Sequence, residues 1–180
     1  CSPDDPELGV FATRRLRLLN PMSQDQSQMR TSLLWGLART VARNLAWGNS
    51  GVAIFELGRV FWPDAGQELP HESRVVGLAV DLQPGRASSD HGTRRALLEL
   101  KGLLDLLARE VSGVELTSAQ GEVPGLHPGR AARISLGERV IGCFGQLDPG
   151  LARSLNLPGA MALAEIDFEN VFYFPRPTEN

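Results

Sequence analysis

The sequence predicts an α+β fold, an antiparallel β-sheet flanked by helices, and three observations predict it. Apolar runs of strand length follow one another in hairpin-like succession. Only two segments carry a long apolar period of helical spacing. Strands and helices do not alternate regularly, as a doubly wound parallel sheet requires. Antiparallel strands with the helices on one face of the sheet are the architecture this order favours.

Residues 1–13, with Pro3, Pro6 and two Asp, read as an irregular lead-in. Arg15 to Leu19 alternates charged and apolar residues as a strand does, and Asn20-Pro21 stops it. Ser23 to Gln28 is polar and turn-like. Apolar residues at Leu33, Leu34, Leu37, Val41, Ala42 and Leu45 recur at helical spacing. Thr31 or Ser32 is placed to cap this helix, and Gly48, Asn49 and Gly51 supply the left-handed conformations that end it. Val52 to Phe61 reads as a buried strand, apolar on both faces. The segment WPDAGQELPHES is a surface loop with two prolines. Strand alternation resumes over Arg74 to Leu82, and the polar loop QPGRASSDHG follows.

Thr93 opens the second long helix, with Ala96, Leu97, Leu100, Leu103, Leu104, Leu107 and Val111 on its stripe and Gly113 at its end. Leu98 and Leu106 widen the apolar face, which fits burial against two elements or a partner surface. Val114 to Thr117 reads as a short edge strand. In AARISLGERVIGCFGQL two strands flank Gly137-Glu138, and Gly at the first central position suits a type II′ turn. Asp148-Pro149 caps and starts a brief helix ending near Leu155. Met161 to Phe168 is the last strand, and FENVFYF is a short closing element.

A chain of 180 residues supports one core, so residues 1–180 read as a single domain with a tail at 175–180. With 18 Lys and Arg against 21 Asp and Glu, the net charge of −3 gives no electrostatic case for gripping nucleic acid over the whole surface. Two cysteines, Cys1 and Cys143, do not make a disulfide framework, and a reducing cytoplasm suits them. No apolar run approaches the roughly 20 residues of a membrane-spanning helix, and the N-terminus lacks the pattern of a signal peptide. A start at Cys and a polar end, PRPTEN, suggest a piece of something longer.

Four residues stand out as candidates. Glu56 and Arg59 point to opposite faces of their strand, so they cannot easily pair with each other and each needs its own partner. Each is either a structural ion pair or a charge facing a ligand. In Leu126-His127-Pro128-Gly129-Arg130, Pro-Gly fixes a turn that leaves His127 and Arg130 at its rims, either as an ordinary tight turn or as a contact with another subunit or ligand. His71, His91 and His127 lie in separate segments without metal-ligand spacing. Gly142, Gly145 and Gly150 lack the Lys and the strand-turn-helix setting of a phosphate loop, and no GxSxG elbow occurs.

A colinear set of motifs from about Leu16 to Phe172 resembles the beta subunit of bacterial phenylalanyl-tRNA synthetase. The set comprises LLNPMSQDQSQMRTSLLWGL at 18–37, RNLAWGN at 43–49, FELGRVF at 55–61, the Leu-rich helix around LELKG, LHPGR at 126–130 and VIGCFGQLDP at 140–149. The resemblance implies a catalytic-like module with the class II aminoacyl-tRNA synthetase fold and a degenerate active site. It implies a partner, the alpha subunit, in an alpha-two beta-two tetramer. It also implies that ATP, Mg2+ and phenylalanine are handled by the full complex, tRNA(Phe) is bound through it, and no cofactor is held in this module.

Class II sites place an Arg just after the strand that GRVF resembles, where a guanidinium neutralises the ATP alpha-phosphate. Trp62 stands there in this chain. The third class II motif resembles a Gly-rich strand followed by Arg, and AEIDFENVF at 164–172 contains neither. The resemblance therefore implies a non-catalytic support module, in which Glu56 and Arg59 hold the frame and His127, Arg130 or the wide helix face meets the alpha subunit. It further implies that an earlier helix is missing, with self-association through the patch it would cover. A free-standing class II-like ligase and a protein-binding domain outside translation are the competing readings.

Overall fold

The computed structural model describes residues 16–22, 27–63, 66–67, 69–81, 90–157 and 161–172. Among them lie β1 (Val52–Trp62), β2 (His71–Asp81), β3 (Thr117–Gln120), β4 (Leu126–Leu136), β5 (Arg139–Leu147) and β6 (Ala162–Asp167). They form one sheet in the order β1-β2-β6-β5-β4-β3, antiparallel at every pairing. The helices are α1 (Leu34–Ala46), α2 (Asp90–Ser112), α3 (Pro149–Ser154) and α4 (Phe168–Phe172). No helix among the described residues is long and apolar enough to cross a membrane.

β6, last in sequence, inserts between β2 and β5 and so must be apolar on both faces. Ala162, Leu163, Ala164 and Ile166 are all buried. On the front face, Leu163, Val75, Ala79 and Ala131 pack against Leu33, Leu34, Leu37 and Val41 at α1 and against Leu151 of α3. On the back, Ile166, Val76, Val80, Ile134 and Ile141 pack against Ala96, Leu100, Leu104 and Ala108 of α2 and Val171 of α4. Each fully buried Leu, such as Leu100 or Leu104, contributes about 1.5–3 kcal/mol. The helices thus cover both faces. This corrects the expectation of one helical face, because the central strands carry apolar residues at odd and even positions alike.

β1 is not a buried strand. It is the sheet edge, and Phe55 and Leu57 on its back face are 77% and 53% exposed. Its double-sided apolar pattern predicted burial, whereas α2 packs on β2, β5 and β6. On α2 itself, Leu98, Leu103 and Leu106 are exposed, so Leu103 falls outside the buried stripe.

Several boundaries also shift. β4 begins at Leu126 rather than Ala131, so the LHPGR segment is strand with an irregularity between Leu126 and Ala131, not a tight turn. Backbone bonds to β5 on both sides of the Pro-Gly pair carry the strand through it. The short edge strand falls at Thr117–Gln120, slightly after the expected Val114 to Thr117. Of the expected strand at Arg15 to Leu19, the described part makes one bridge, Arg17 to Gln28. Residues 1–15, 82–89 and 173–180 lie outside the described residues, and with them the lead-in, most of the second loop and the tail. The β4–β5 turn has Gly137 at φ 60°, as Gly at its first position demands. α3 starts at Pro149 under Asp148, whose carboxylate accepts the N–H groups of Gly150 and Leu151.

Candidate functional site

The β-ladders bring one residue from each of five strands into a row on the front face: Glu56, Gly77, Glu165, Cys143 and Arg133. The first turn of α1 lies over the row at Gly77. A Cβ at Gly77 would sit 2.7 Å from Leu37 Cδ1 and 3.0 Å from Leu33 Cβ, and one at Gly58 would run into the Arg30 guanidinium. Two glycines therefore let the helix start and Arg30 sink against the sheet.

Glu165 fastens that contact. Its Oε2 accepts the Leu33 N–H at 2.5 Å and the Ser32 hydroxyl at 3.1 Å. Leu33 is the N-cap residue and offers no side-chain cap of its own, so a carboxylate from the central strand does part of the capping. Ser32 Oγ also accepts the Leu34 N–H at 3.1 Å. Burial pushes the Glu165 carboxyl up to about 7, and nearby Glu56 adds to the rise. The Leu33 N–H, the Ser32 hydroxyl and Arg30 oppose it without winning. Beside it, burial and then the Glu165 charge push the Cys143 thiol up to about 12, against the pull of Arg133.

Glu56 and Arg59 take separate partners, on opposite faces. Arg30 Nη1 meets Glu56 Oε1 at 2.6 Å, and Arg59 Nη1 meets Glu72 Oε1 at 2.8 Å. Arg30 also donates its Nε–H to the Arg59 carbonyl at 2.7 Å and accepts the Phe61 N–H with its own carbonyl. Trp62 stacks on His71, with ring centroids 5.8 Å and planes 18° apart. Among the described residues, no group of three or more His, Cys, Asp or Glu could hold a metal ion.

His127 and Arg130 lie at the far side of the sheet from Glu56. His127 Nδ1 accepts the Gly129 N–H at 3.0 Å, and Arg130 Nη1 donates to Gln146 Oε1 at 3.0 Å. The four candidates do not form one site. Arg30, Ser32 and Glu165 were not among them, although a lone Glu inside ALAEID was the available signal: a carboxylate in a central strand needs donors from another element.

Six antiparallel strands with helices on both faces agree with the class II synthetase-like fold. The sequence pattern of the phenylalanyl tRNA synthetase beta chain CLM domain matches residues 7–168. The chain belongs to the phenylalanyl-tRNA synthetase beta chain family. It is 39% identical to the phenylalanine–tRNA ligase beta subunit of Moorella thermoacetica over 162 residues, covering 87% of this chain and 19% of the relative. With the beta subunit of Geobacter metallireducens identity is 31% over 170 residues, covering 93% and 21%. The chain thus spans about a fifth of the length of these relatives. In fold it is similar to the pyrrolysyl-tRNA synthetase of Desulfitobacterium hafniense, with a TM-score of 0.63, 13% identity, and coverage of 93% of this chain and 57% of that one.

Proposed function

We propose that this chain is a non-catalytic support module of phenylalanine–tRNA ligase. It forms one domain that packs beside the alpha subunit in a cytoplasmic alpha-two beta-two enzyme, which attaches phenylalanine to tRNA(Phe). One observation carries the reading: Arg30, the cation beside the first turn of α1 on the front face, is already spent. Arg30 is held by Glu56 and the Arg59 carbonyl, and Trp62 stacks on His71 where a class II active site would present an Arg. ATP with Mg2+ requires converging cations and free carboxylate oxygens. These residues do not fit that group, so ATP, Mg2+ and phenylalanine belong to the rest of the complex, and tRNA reaches this module only through it.

The exposed Leu98, Leu103 and Leu106 of α2, with the His127 to Arg130 segment, are the surfaces we assign to the alpha subunit. ATP–pyrophosphate exchange tests the non-catalytic reading. The chain alone gives no exchange above buffer; phenylalanine-dependent exchange abolished by Arg30→Ala would instead make it a class II-like ligase. Binding to purified alpha subunit tests the support role, and Leu98→Lys with Leu106→Lys weakens it. Full binding by that double variant would remove α2 from the interface.

A further inference from the structure

Among the described residues, no strand pairs with the outer edge of β1. Its register with β2 runs unbroken from Val52 to Trp62, so alternate residues direct their N–H and C=O groups away from β2. The bonds from Arg30 to the Arg59 carbonyl and from the Phe61 N–H identify the odd residues as the outward ones. Arg30 therefore closes the edge at Arg59 and Phe61. Ala53, Phe55 and Leu57 have outward backbone groups with no backbone partner among the described residues.

Natural sheets guard such edges with Lys, Pro, bulges or a covering element. Among the described residues no Lys, Pro, bulge or covering element guards residues 53–57: Glu56 is the one charge there and is held by Arg30 on the front face, while Ala53, Phe55 and Leu57 lie on the back face, the latter two 77% and 53% exposed. The back face of this stretch is thus apolar, and among the described residues its outward backbone groups are unpaired.

We propose that the open edge of β1 is an interaction surface for a second copy of this chain, paired antiparallel about a twofold axis at Phe55. Arg30 fixes the register. An axis at Leu57 would set Phe55 against Arg59 and Ala53 against Phe61, whose outward groups are taken. An axis at Glu56 would set the two Glu56 carboxylates opposite each other, and like charges in that position destabilise a strand pair. Only the axis at Phe55 uses all three free residues. It pairs Phe55 with its copy and Ala53 with Leu57, and it leaves Glu56 opposite Ile54. Three such pairs exchange about six backbone hydrogen bonds, two for each pair. Phe55 meets its copy on the back face, where aromatic pairs add to strand association. Glu56 keeps its own Arg30 on the front. The pairing rests on the backbone of β1 and does not depend on the proposed support role.

Light scattering across micromolar concentrations tests the proposal. The chain is expected to form dimers, and Phe55→Lys to weaken them by roughly tenfold or more, because the symmetric register brings two lysines together. Phe55 is mostly exposed, so a parent-like circular dichroism spectrum and cooperative unfolding at a dilution where the parent is monomeric verify that the variant folds. In a Cys1→Ser background, Phe55→Cys should cross-link to its copy on oxidation, whereas Ala53→Cys should not. A monomer at all concentrations, a Phe55→Lys variant that dimerises like the parent, or equal cross-linking by the two cysteine variants would each overturn the proposal. So would a monomer whose Phe55 binds the alpha subunit, since that assigns the edge to another occupant.

Discussion

Glu165→Gln replaces a carboxyl that titrates in a buried place with a neutral amide of nearly the same shape. The Gln carbonyl can still accept from Leu33 and Ser32, so what the substitution removes is the ionised state. In the folded chain Glu165 holds its proton up to about pH 7, whereas its ordinary value is 4.5. Between these two pH values the folded state binds more protons than the unfolded one, so stability falls as pH rises through the window and is level above it. At about 1.4 kcal/mol per unit, the rise corresponds to about 3 kcal/mol at most. Urea unfolding of both proteins from acidic to mildly alkaline pH measures it. The variant should match the parent near pH 4 and exceed its stability by up to about 3 kcal/mol near pH 8. A gap independent of pH would refute the reasoning. A parent more stable than the variant at pH 8 would also refute it, since charge-assisted bonds from Leu33 and Ser32 would then outweigh burial.

Gly142→Ala should cost about 3 kcal/mol or more, because its Cβ would run into the Glu165 carbonyl and lie 2.9 Å from Ile166 Cα, both backbone atoms of the paired strand. Gly36→Ala in α1 has nothing within 4 Å and should stabilise by up to about 1 kcal/mol in the same unfolding assay. A double-mutant cycle on Arg30 and Glu56 should give only about 0.5 kcal/mol, since their side chains are 44% and 39% exposed. The Cys143 thiol, pushed up to about 12, should alkylate at least about tenfold more slowly at pH 8 than after unfolding in urea, with Cys1 replaced by Ser.

The elements that the sequence shows clearly are those whose local signals agree with their burial. α1, the Gly137 turn and the Asp148-capped α3 carry their own periodicity, turn chemistry and cap, and they appear where those signals place them. β1 misleads because composition reports that a strand is apolar, not what covers it; Phe55 and Leu57 look like core residues and lie at the edge. His127 to Arg130 misleads in another way, since Pro-Gly chemistry suits a turn while the ladder to β5 holds it as strand.

The candidate site was legible only in part. Glu56 and Arg59 stand out in the sequence as charges in an apolar strand, and each has its own counter-ion, Arg30 and Glu72. Glu165 was not, because its role depends on Leu33 being brought across 132 residues to its side. The sequence records the residue and not the encounter.

The proposed support role requires that this synthetase-like frame lacks the chemistry of amino-acid activation. Isothermal titration of the chain with ATP and Mg2+, with and without phenylalanine, tests it most directly. No saturable heat in the micromolar range is the predicted result. Saturable micromolar binding of either ligand, reduced by Arg30→Ala, would contradict it.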